Sequence, residues 1–319
     1  MTTQLNHHIF RLELKNTFTI SHGSYDFRDT MIVSLEKEGI TGLGEATVIP
    51  YLGVSVDKLE NSIQKIVPLI KNLKWSQPSE LWEQLSPHLE DDSFLLSAID
   101  SAAWDWYGKK HNKPVWDLLG AVPENAPLSS YTIGKDSPEI MALKMDNTPW
   151  PVYKIKIASG ADMDLIRKLR QTNDSIFRID ANCSWKVDEV YSLYAGLKEL
   201  NIDLLEQPLP IGQDMHLKKE LHDPSIPVFA DESCSALADI EKLAPYYDGI
   251  NIKLMKCGGI TPALEMIKEA KAQGIQIMGG CMTESSVGIS AMAQLAPFFD
   301  YLDLDGALLL SNDPAEGVK

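Results

Sequence analysis

Residues 152–182 read VYKIKIASGADMDLIRKLRQTNDSIFRIDAN, and this stretch decides the fold. It opens on a β-rich run at 152–157, passes through a helical stretch at 163–171 and returns to a β-rich run at 176–179. Strand, helix and strand within about thirty residues is the pattern of a parallel β-α-β unit. The alternation extends in both directions. Further β-rich runs fall at 130–133, 203–206, 227–230, 250–254, 276–278 and 301–304, with helical signals between them, as at 186–200, 262–272 and 286–296. Eight strands separated by helices predict a parallel (β/α) barrel of modified TIM type. The units share no sequence identity, so the repeat is structural and the chain is no solenoid array.

Upstream the pattern differs. Residues 18–20, 31–35 and 42–46 are β-rich, and Glu38-Gly39 marks a hairpin turn between the last two runs. Helical stretches follow at 56–71, 78–89 and 93–110, the last with Leu95, Ala98, Ile99, Ala102 and Ala103 at helical spacing. This reads as an α+β capping and specificity domain over 1–120, with the catalytic barrel over 121–319 and the proline-bearing residues 121–127 as linker.

Composition narrows the class of function. The chain has 319 residues, of which 44% are hydrophobic, and a formal net charge of -16. An acidic chain with no basic run is a poor partner for nucleic acid or anionic membrane. No apolar stretch approaches the ~20 residues that span a bilayer. Met1 to Arg11 lack a signal pattern. Cys183, Cys234, Cys257 and Cys281 form no CxxC pair. Scattered thiols of this kind suit a reducing cytoplasm. The expected partner is a small molecule, and a homo-oligomer is expected on general grounds.

In such a barrel the active face lies at the C-terminal ends of the strands. Strand two ends on Lys154-Ile155-Lys156, and alternation puts both lysines on one face, inward if Ile155 packs outward. Asp180, Glu206 and Asp231 end strands three, four and five, and Lys253 ends strand six. Any one of these acids alone reads equally as a helix cap. Three on adjacent strand ends repel one another unless a cation sits among them, and oxygen ligands with room for substrate suit one Mg²⁺ per subunit. Strands two and six are half a turn apart in an eight-stranded ring, so Lys156 and Lys253 should face each other across the mouth. One can take a proton from a carbon and the other can return it to the opposite face. The ion and Lys154 are expected to lower a lysine pKa towards that of a general base, and the ion should stabilise charge that develops on a substrate carboxylate. On strand eight Asp303-Leu304-Asp305 sets two more acids on one face, away from the ion and suited to a cationic substrate group, although Asp305-Gly306 also reads as a turn. Cys281, with no histidine beside it, reads as a packing residue, and residues 50–53 read either as a lid or as a plain turn.

Taken together, Lys154-Ile155-Lys156, Asp180-Ala181-Asn182, Glu206-Gln207-Pro208, Ala230-Asp231-Glu232-Ser233 and Asn251-Ile252-Lys253-Leu254 resemble the enolase superfamily, and within it the muconate-lactonising-enzyme-like subgroup. The resemblance implies Mg²⁺ on Asp180, Glu206 and Asp231, Lys156 and Lys253 as the acid/base pair, and Lys154 as a contact for the substrate carboxylate. Tyr131-Thr132, Cys281-Met282-Thr283-Glu284 and Asp303-Leu304-Asp305 are similar to the dipeptide epimerases of the L-Ala-D/L-Glu type, which act on peptidoglycan peptides. That likeness implies a dipeptide whose ammonium sits on Asp303 and Asp305 and whose C-terminal α-carbon is inverted, with Thr132 and Thr283 at the substrate. Family members acting on Ala-Glu often carry an arginine early in the specificity loop. Here Gly23 stands near that place and Arg28 is the only arginine in 18–29, so an uncharged pocket around Gly23 is expected, with Arg28 the residue that would overturn it. Relatives of that kind continue past strand eight with a segment that returns to the cap, and this chain has little sequence there. The alternatives on the same scaffold are an o-succinylbenzoate synthase or a muconate-cycloisomerase-like enzyme, whose substrates have no ammonium. An alternative of another class is a non-catalytic binding protein.

Overall fold

The structure is a computed structural model that describes residues 2–20 and 23–317. Its first sheet is antiparallel, with β1 (Gln4–Ile20), β2 (Gly23–Lys37) and β3 (Ile40–Thr47) in that order. Lys37 pairs with Ile40 across Glu38 and Gly39, whose φ angles of 57° and 74° give the two-residue turn that matches strand twist. The first strand is far longer than the β-rich run at 18–20. Residues 4–17 are mostly exposed, with Leu5 and Leu12 buried, so their apolar signal is too sparse to read. Helices α1 (Val56–Ile70), α2 (Pro78–Leu85) and α3 (Ser93–His111) back this sheet, followed by the short α4 (Val115–Leu118). A Cβ on Gly42 or Gly44 would lie 1.9 Å from the carbonyl oxygen of Ala102 or Ala98, so α3 rests directly on the β3 backbone.

The second sheet is wholly parallel. In chain order it comprises β4 (Tyr131–Ile133), α5 (Pro138–Asn147), β5 (Val152–Lys156), α6 (Met163–Arg170), β6 (Ile176–Asp180), α7 (Val190–Leu197), β7 (Ile202–Glu206), β8 (Val228–Ala230), α8 (Leu237–Leu243), β9 (Gly249–Ile252), α9 (Leu254–Cys257), α10 (Ile260–Ala272), β10 (Gln276–Gly280), α11 (Ser286–Ala293) and β11 (Tyr301–Asp303). The strands stand side by side in sequence order, and Ser130 N donates to Leu302 O at 3.0 Å, which brings the last strand back to the first. All eight expected strands are present. The sixth ends at Ile252 rather than at 254, because Leu254 opens α9.

Alternation along each strand separates two cores. Ile155, Ile179, Leu205 and Ile250 pack outward in the large cluster shared with the surrounding helices. Leu204, Phe229 and Met278 form a small cluster of their own. Glu206, two residues beyond Leu204, shares its face. Lys154 and Lys156 flank the outward Ile155 and so point inward.

The cap is fastened to the barrel close to the end of β9. Ser93 Oγ donates to Met255 O at 2.9 Å and Trp82 Nε1 to Gly258 O at 2.9 Å. Buried Asp100 on α3 accepts from Thr261 N at 2.8 Å and Thr261 Oγ1 at 2.7 Å, at the start of α10. On the other side, residues after β11 return to β1: Ser311 N donates to Glu13 O at 2.8 Å and Asn312 Nδ2 to Arg11 O at 3.0 Å. The return segment described for relatives thus has a counterpart here. No helix among the described residues is long and apolar enough to cross a membrane.

Burial pushes the Asp100 carboxyl up to about 7, against the pull of its bonds to Thr261 and Ile260. The folded chain then holds this proton between the ordinary carboxylate range and about pH 7, where the unfolded chain has lost it. The stability this contributes is complete at low pH and is lost as pH rises through about 7. Urea midpoints of wild type and Asp100→Asn, taken from pH 5 to pH 8, should show the wild-type advantage shrinking with rising pH. A difference that stays constant across the range would contradict it.

Candidate active site

The inward residues at the strand ends converge on one pocket. It is lined by Lys154, Lys156, Lys253, Asp303, Asp305 and Thr132 from the barrel, by Cys281, Met282 and Thr283 after β10, and by Phe18, Tyr25, Arg28 and Tyr51 from the cap. It is a narrow pocket, with a cavity volume of about 60 Å³. A larger cavity of about 550 Å³ lies between α3 and α11 and carries none of these lysines or acids.

Each of the three strand-end acids uses its two oxygens differently. Asp180 Oδ1 accepts from Asn182 N at 3.0 Å, while Oδ2 meets Lys156 at 2.5 Å and Lys154 at 3.0 Å. Glu206 Oε1 accepts from Asn251 Nδ2 at 2.8 Å, while Oε2 meets Lys154 at 2.8 Å. Asp231 Oδ1 meets Lys256 at 2.6 Å, while Oδ2 meets Lys253 at 2.8 Å. Asp180 and Glu206 are direct register partners across β6 and β7. Local backbone enforces this aim: Asn182, Cys183 and Gln207 all adopt positive φ, a conformation a non-glycine residue holds only when its surroundings fix it. Gln207, fully buried, accepts from Asp231 N at 2.9 Å through Oε1, and its Nε2, with two N–H donors, lies within hydrogen-bond reach of Leu209 O, Ser233 Oγ and Tyr247 Oη, so one amide ties the loops after β7 and β8.

The charges do not all balance. For Asp180 burial acts upward, but Lys154 and Lys156 outweigh it and draw the carboxyl down to about 2. Asp231 is likewise held well below its usual range by Lys253, Lys256 and Lys154 against burial. Glu206 goes the other way: burial and the neighbouring Asp180 outweigh Lys154 and push it up to about 7. Lys154 does act to lower the Lys156 pKa, as expected of a neighbouring cation, but it is not the dominant influence. Burial opposes the charge on Lys156 and on Lys253, but Asp180 and Asp231 respectively outweigh it and both amines are held above their ordinary value. While they rest on carboxylates, both are ammonium groups.

Lys156 and Lys253 come from β5 and from the end of β9, four strands apart in the eight-stranded ring, and both line the one pocket. The two aspartates at and just beyond the end of β11 differ from each other. Asp303 accepts from Lys154 at 2.6 Å and Ser130 Oγ at 2.8 Å, and Lys154 pulls it down against burial. Asp305 accepts from Thr132 N at 2.6 Å, and burial with the adjacent Asp303 pushes it up to about 7. The separation expected between this pair and the strand-end acids is bridged by Lys154, which touches both groups. Thr283 Oγ1 meets Tyr25 Oη at 3.0 Å and joins barrel to cap over the pocket. Gly23 is exposed and does not line the pocket, whereas Arg28, 9% exposed, does, with its guanidinium 3.3 Å from the Tyr25 ring centre. Tyr51, in the single turn Pro50–Leu52, lines the pocket from above. The Cys281 thiol is pushed well up by burial and stays protonated.

A divalent cation suits the chemistry of the acids, which offer hard oxygens on neighbouring strand ends. Among the described residues no three carboxyl groups stand close enough to share an ion as placed, and four lysine amines lie among the strand-end acids. Those amines occupy the place of a positive charge: Lys154 alone contacts Asp180, Glu206 and Asp303. Glu232 Oε2, buried and facing the charges of Asp231 and Asp180, has no hydrogen-bond partner, which marks a further unsatisfied oxygen beside the same acids.

Lys256 escaped the sequence reading, and Asn251 was noted there only as part of a motif, with no role given to it. The signal was there. A helix starting at Leu254 brings the residue three places after Lys253 back over the same strand end, and Gly258-Gly259 marks the stop of such a helix.

Residues 140–305 match the family model described as Enolase C-terminal domain-like, and residues 7–120 match the Mandelate racemase / muconate lactonizing enzyme N-terminal domain. A protein of Maribacter sp. (strain HTCC2170) described as an L-Ala-D/L-amino acid epimerase is 46% identical over 310 residues, 97% of this chain and 92% of its own length. A Flavobacterium johnsoniae protein of the same description is 43% identical over 309 residues, again 97% and 92%. The solved structure of a dipeptide epimerase from Enterococcus faecalis V583, complexed with Mg and the dipeptide L-Leu-L-Tyr, is 30% identical with a TM-score of 0.92 and covers 100% of this chain and 95% of that one.

Proposed function

This chain belongs to the mandelate racemase / muconate lactonizing enzyme family of the enolase superfamily, and on that premise we propose that it is a Mg²⁺-dependent dipeptide epimerase. The observation that carries the reading is the set of two inward lysines on opposite sides of one pocket that also holds a second, separate acidic pair. Asp180, Glu206 and Asp231 would hold the ion, which when bound offsets the negative charge that gathers on the substrate carboxylate as its α-proton leaves. Lys156 and Lys253 move the proton. The one that acts as base must first give its own proton to solvent, as its carboxylate would turn to the ion. As a free amine it accepts the proton from Cα of the second residue, and the other, still an ammonium, donates a proton to the opposite face, so the centre inverts. Lys154 steadies the carboxylate end. Asp303 and Asp305 receive the free ammonium of the first residue and fix the dipeptide lengthwise, with Thr132 N bracing Asp305. Phe18, Tyr25 and Arg28 with Thr283 face the second side chain. Cell-wall peptide metabolism in the cytoplasm is the setting this reading carries with it, and a homo-oligomer its expected form.

Incubation with MgCl₂ and a panel of L-Ala-L-X dipeptides, followed by chiral chromatography of the hydrolysed product, should reveal D-X with alanine left as L. Absence of inversion across acidic and apolar X would overturn the proposal. The acidic pair separates it from a synthase or cycloisomerase. N-acetylation of a turned-over dipeptide, or Asp303→Asn, should lower kcat/KM by about a hundredfold, the scale of a lost hydrogen bond to a charged group. Equal activity on acetylated and free dipeptides would favour the alternative. A purely binding role is disfavoured because both lysines line one pocket and are paired there with the strand-end acids Asp180 and Asp231.

A further inference from the structure

Lys256 stands outside the proton-transfer pair yet touches one of the proposed ion-holding acids. Its side chain is 8% exposed, and its Nζ reaches Asp231 Oδ1 at 2.6 Å, the Asp231 carbonyl oxygen, and Asn251 O at 3.2 Å. An ammonium has three N–H donors and all three acceptors are protein oxygens, so none is left to serve a substrate or carry a proton. These acceptors come from the ends of two adjacent strands, β8 and β9.

The comparison with the other two acids gives this contact its meaning. In all three, one oxygen is tied down by a donor fixed in the fold and the other faces the amines of the pocket. The tied oxygens are Asp180 Oδ1 to a backbone amide, Glu206 Oε1 to the Asn251 side-chain amide and Asp231 Oδ1 to Lys256. Lys256 therefore does for Asp231 what two neutral amides do for its neighbours, and does it with a charge. Its own position is built from outside the barrel. The helix that carries it is one turn long, held by Ser93 through Met255 O and by Trp82 through Gly258 O, both from the cap. At Gly259, with φ of 126°, a Cβ would lie 2.3 Å from Asp100 Oδ2, so α3 presses directly against the turn that ends this helix.

We propose that Lys256 is the positioning residue for the ion site: it pins Asp231 through Oδ1 so that Oδ2 is presented to the cation, and it thereby sets the affinity for Mg²⁺. This rests on the ion-dependent reading above. The protein, stripped of metal, is titrated with MgCl₂ by isothermal titration calorimetry, as wild type and as Lys256→Met. The Kd of Lys256→Met should rise by about tenfold to a hundredfold, the range for partners that orient a ligand. At saturating MgCl₂ its KM for dipeptide should stay within about threefold of wild type and kcat should recover, a split that a general loss of structure does not produce. If Lys256→Met fails to fold by circular dichroism, Lys256→Arg carries the test. It keeps the charge but cannot meet three acceptors in the same geometry, and its Kd should rise by at least about threefold. An unchanged Kd, or an activity loss that saturating MgCl₂ does not repair, overturns the role of Lys256. Failure of the wild type itself to bind Mg²⁺ points instead at the ion-dependent reading.

Discussion

Inversion by Lys156→Ala or by Lys253→Ala is expected to fall at least about a thousandfold below wild type, within the range that a positioned acid or base contributes. The two losses should be alike in size, because inversion needs both a base on one face and an acid on the other. They should also be far from additive: with one lysine gone, removing the second has little inversion left to abolish. Neither loss should be a loss of fold. Each amine is paired with a carboxylate that keeps another cationic partner, Lys154 for Asp180 and Lys256 for Asp231, so no acid is left buried and alone. Chiral chromatography of timed reactions measures the rates, and circular dichroism checks the fold. A variant that still inverts within about tenfold of wild type would remove its lysine from the chemistry.

The second large effect concerns Glu206 and separates function from stability. Glu206→Gln should lower the rate of inversion by more than about a hundredfold, beyond the range for residues that merely orient a ligand. The metal-free variant should be no less stable than wild type. Burial and Asp180 push the Glu206 carboxyl up to about 7, so its charge is a burden near neutral pH. The glutamine has one oxygen for the two donors that Glu206 serves, Asn251 Nδ2 and Lys154, and Lys154 keeps Asp180 and Asp303 whichever of them it takes. Mg²⁺ should discriminate the two proteins. At a hundred times its Kd a ligand stabilises the form that binds it by about 2.7 kcal/mol. Thermal melts should show this gain for wild type and little or none for the variant. A variant that melts well below wild type without Mg²⁺ would mean that Glu206 serves the fold rather than the ion.

Much of this was written in local sequence. The eight strands were legible because each is a short apolar run bounded by helical periodicity, and parity alone put Lys154 with Lys156 on the inner face. What escaped depends on partners distant in the chain. The long β1 carries few buried apolar residues, and its pairing with β2 shifts register between Glu13 and Phe18, so no count of residues could say which of 18–29 meets the pocket. Arg28 reaches it and Gly23 does not. Lys256 was hidden by a boundary error of two residues, since a strand continued to 254 points the residues after it elsewhere.

Everything turns on whether the two amines approach one carbon from opposite sides. Proton NMR of each epimer of a turned-over dipeptide, incubated in D₂O with MgCl₂ and either Lys156→Ala or Lys253→Ala, reads this directly. The geometry predicts that each variant replaces the α-hydrogen of one epimer by deuterium without inverting it, and that the two variants select opposite epimers. Exchange of the same epimer by both variants, or of neither epimer by either, would contradict it.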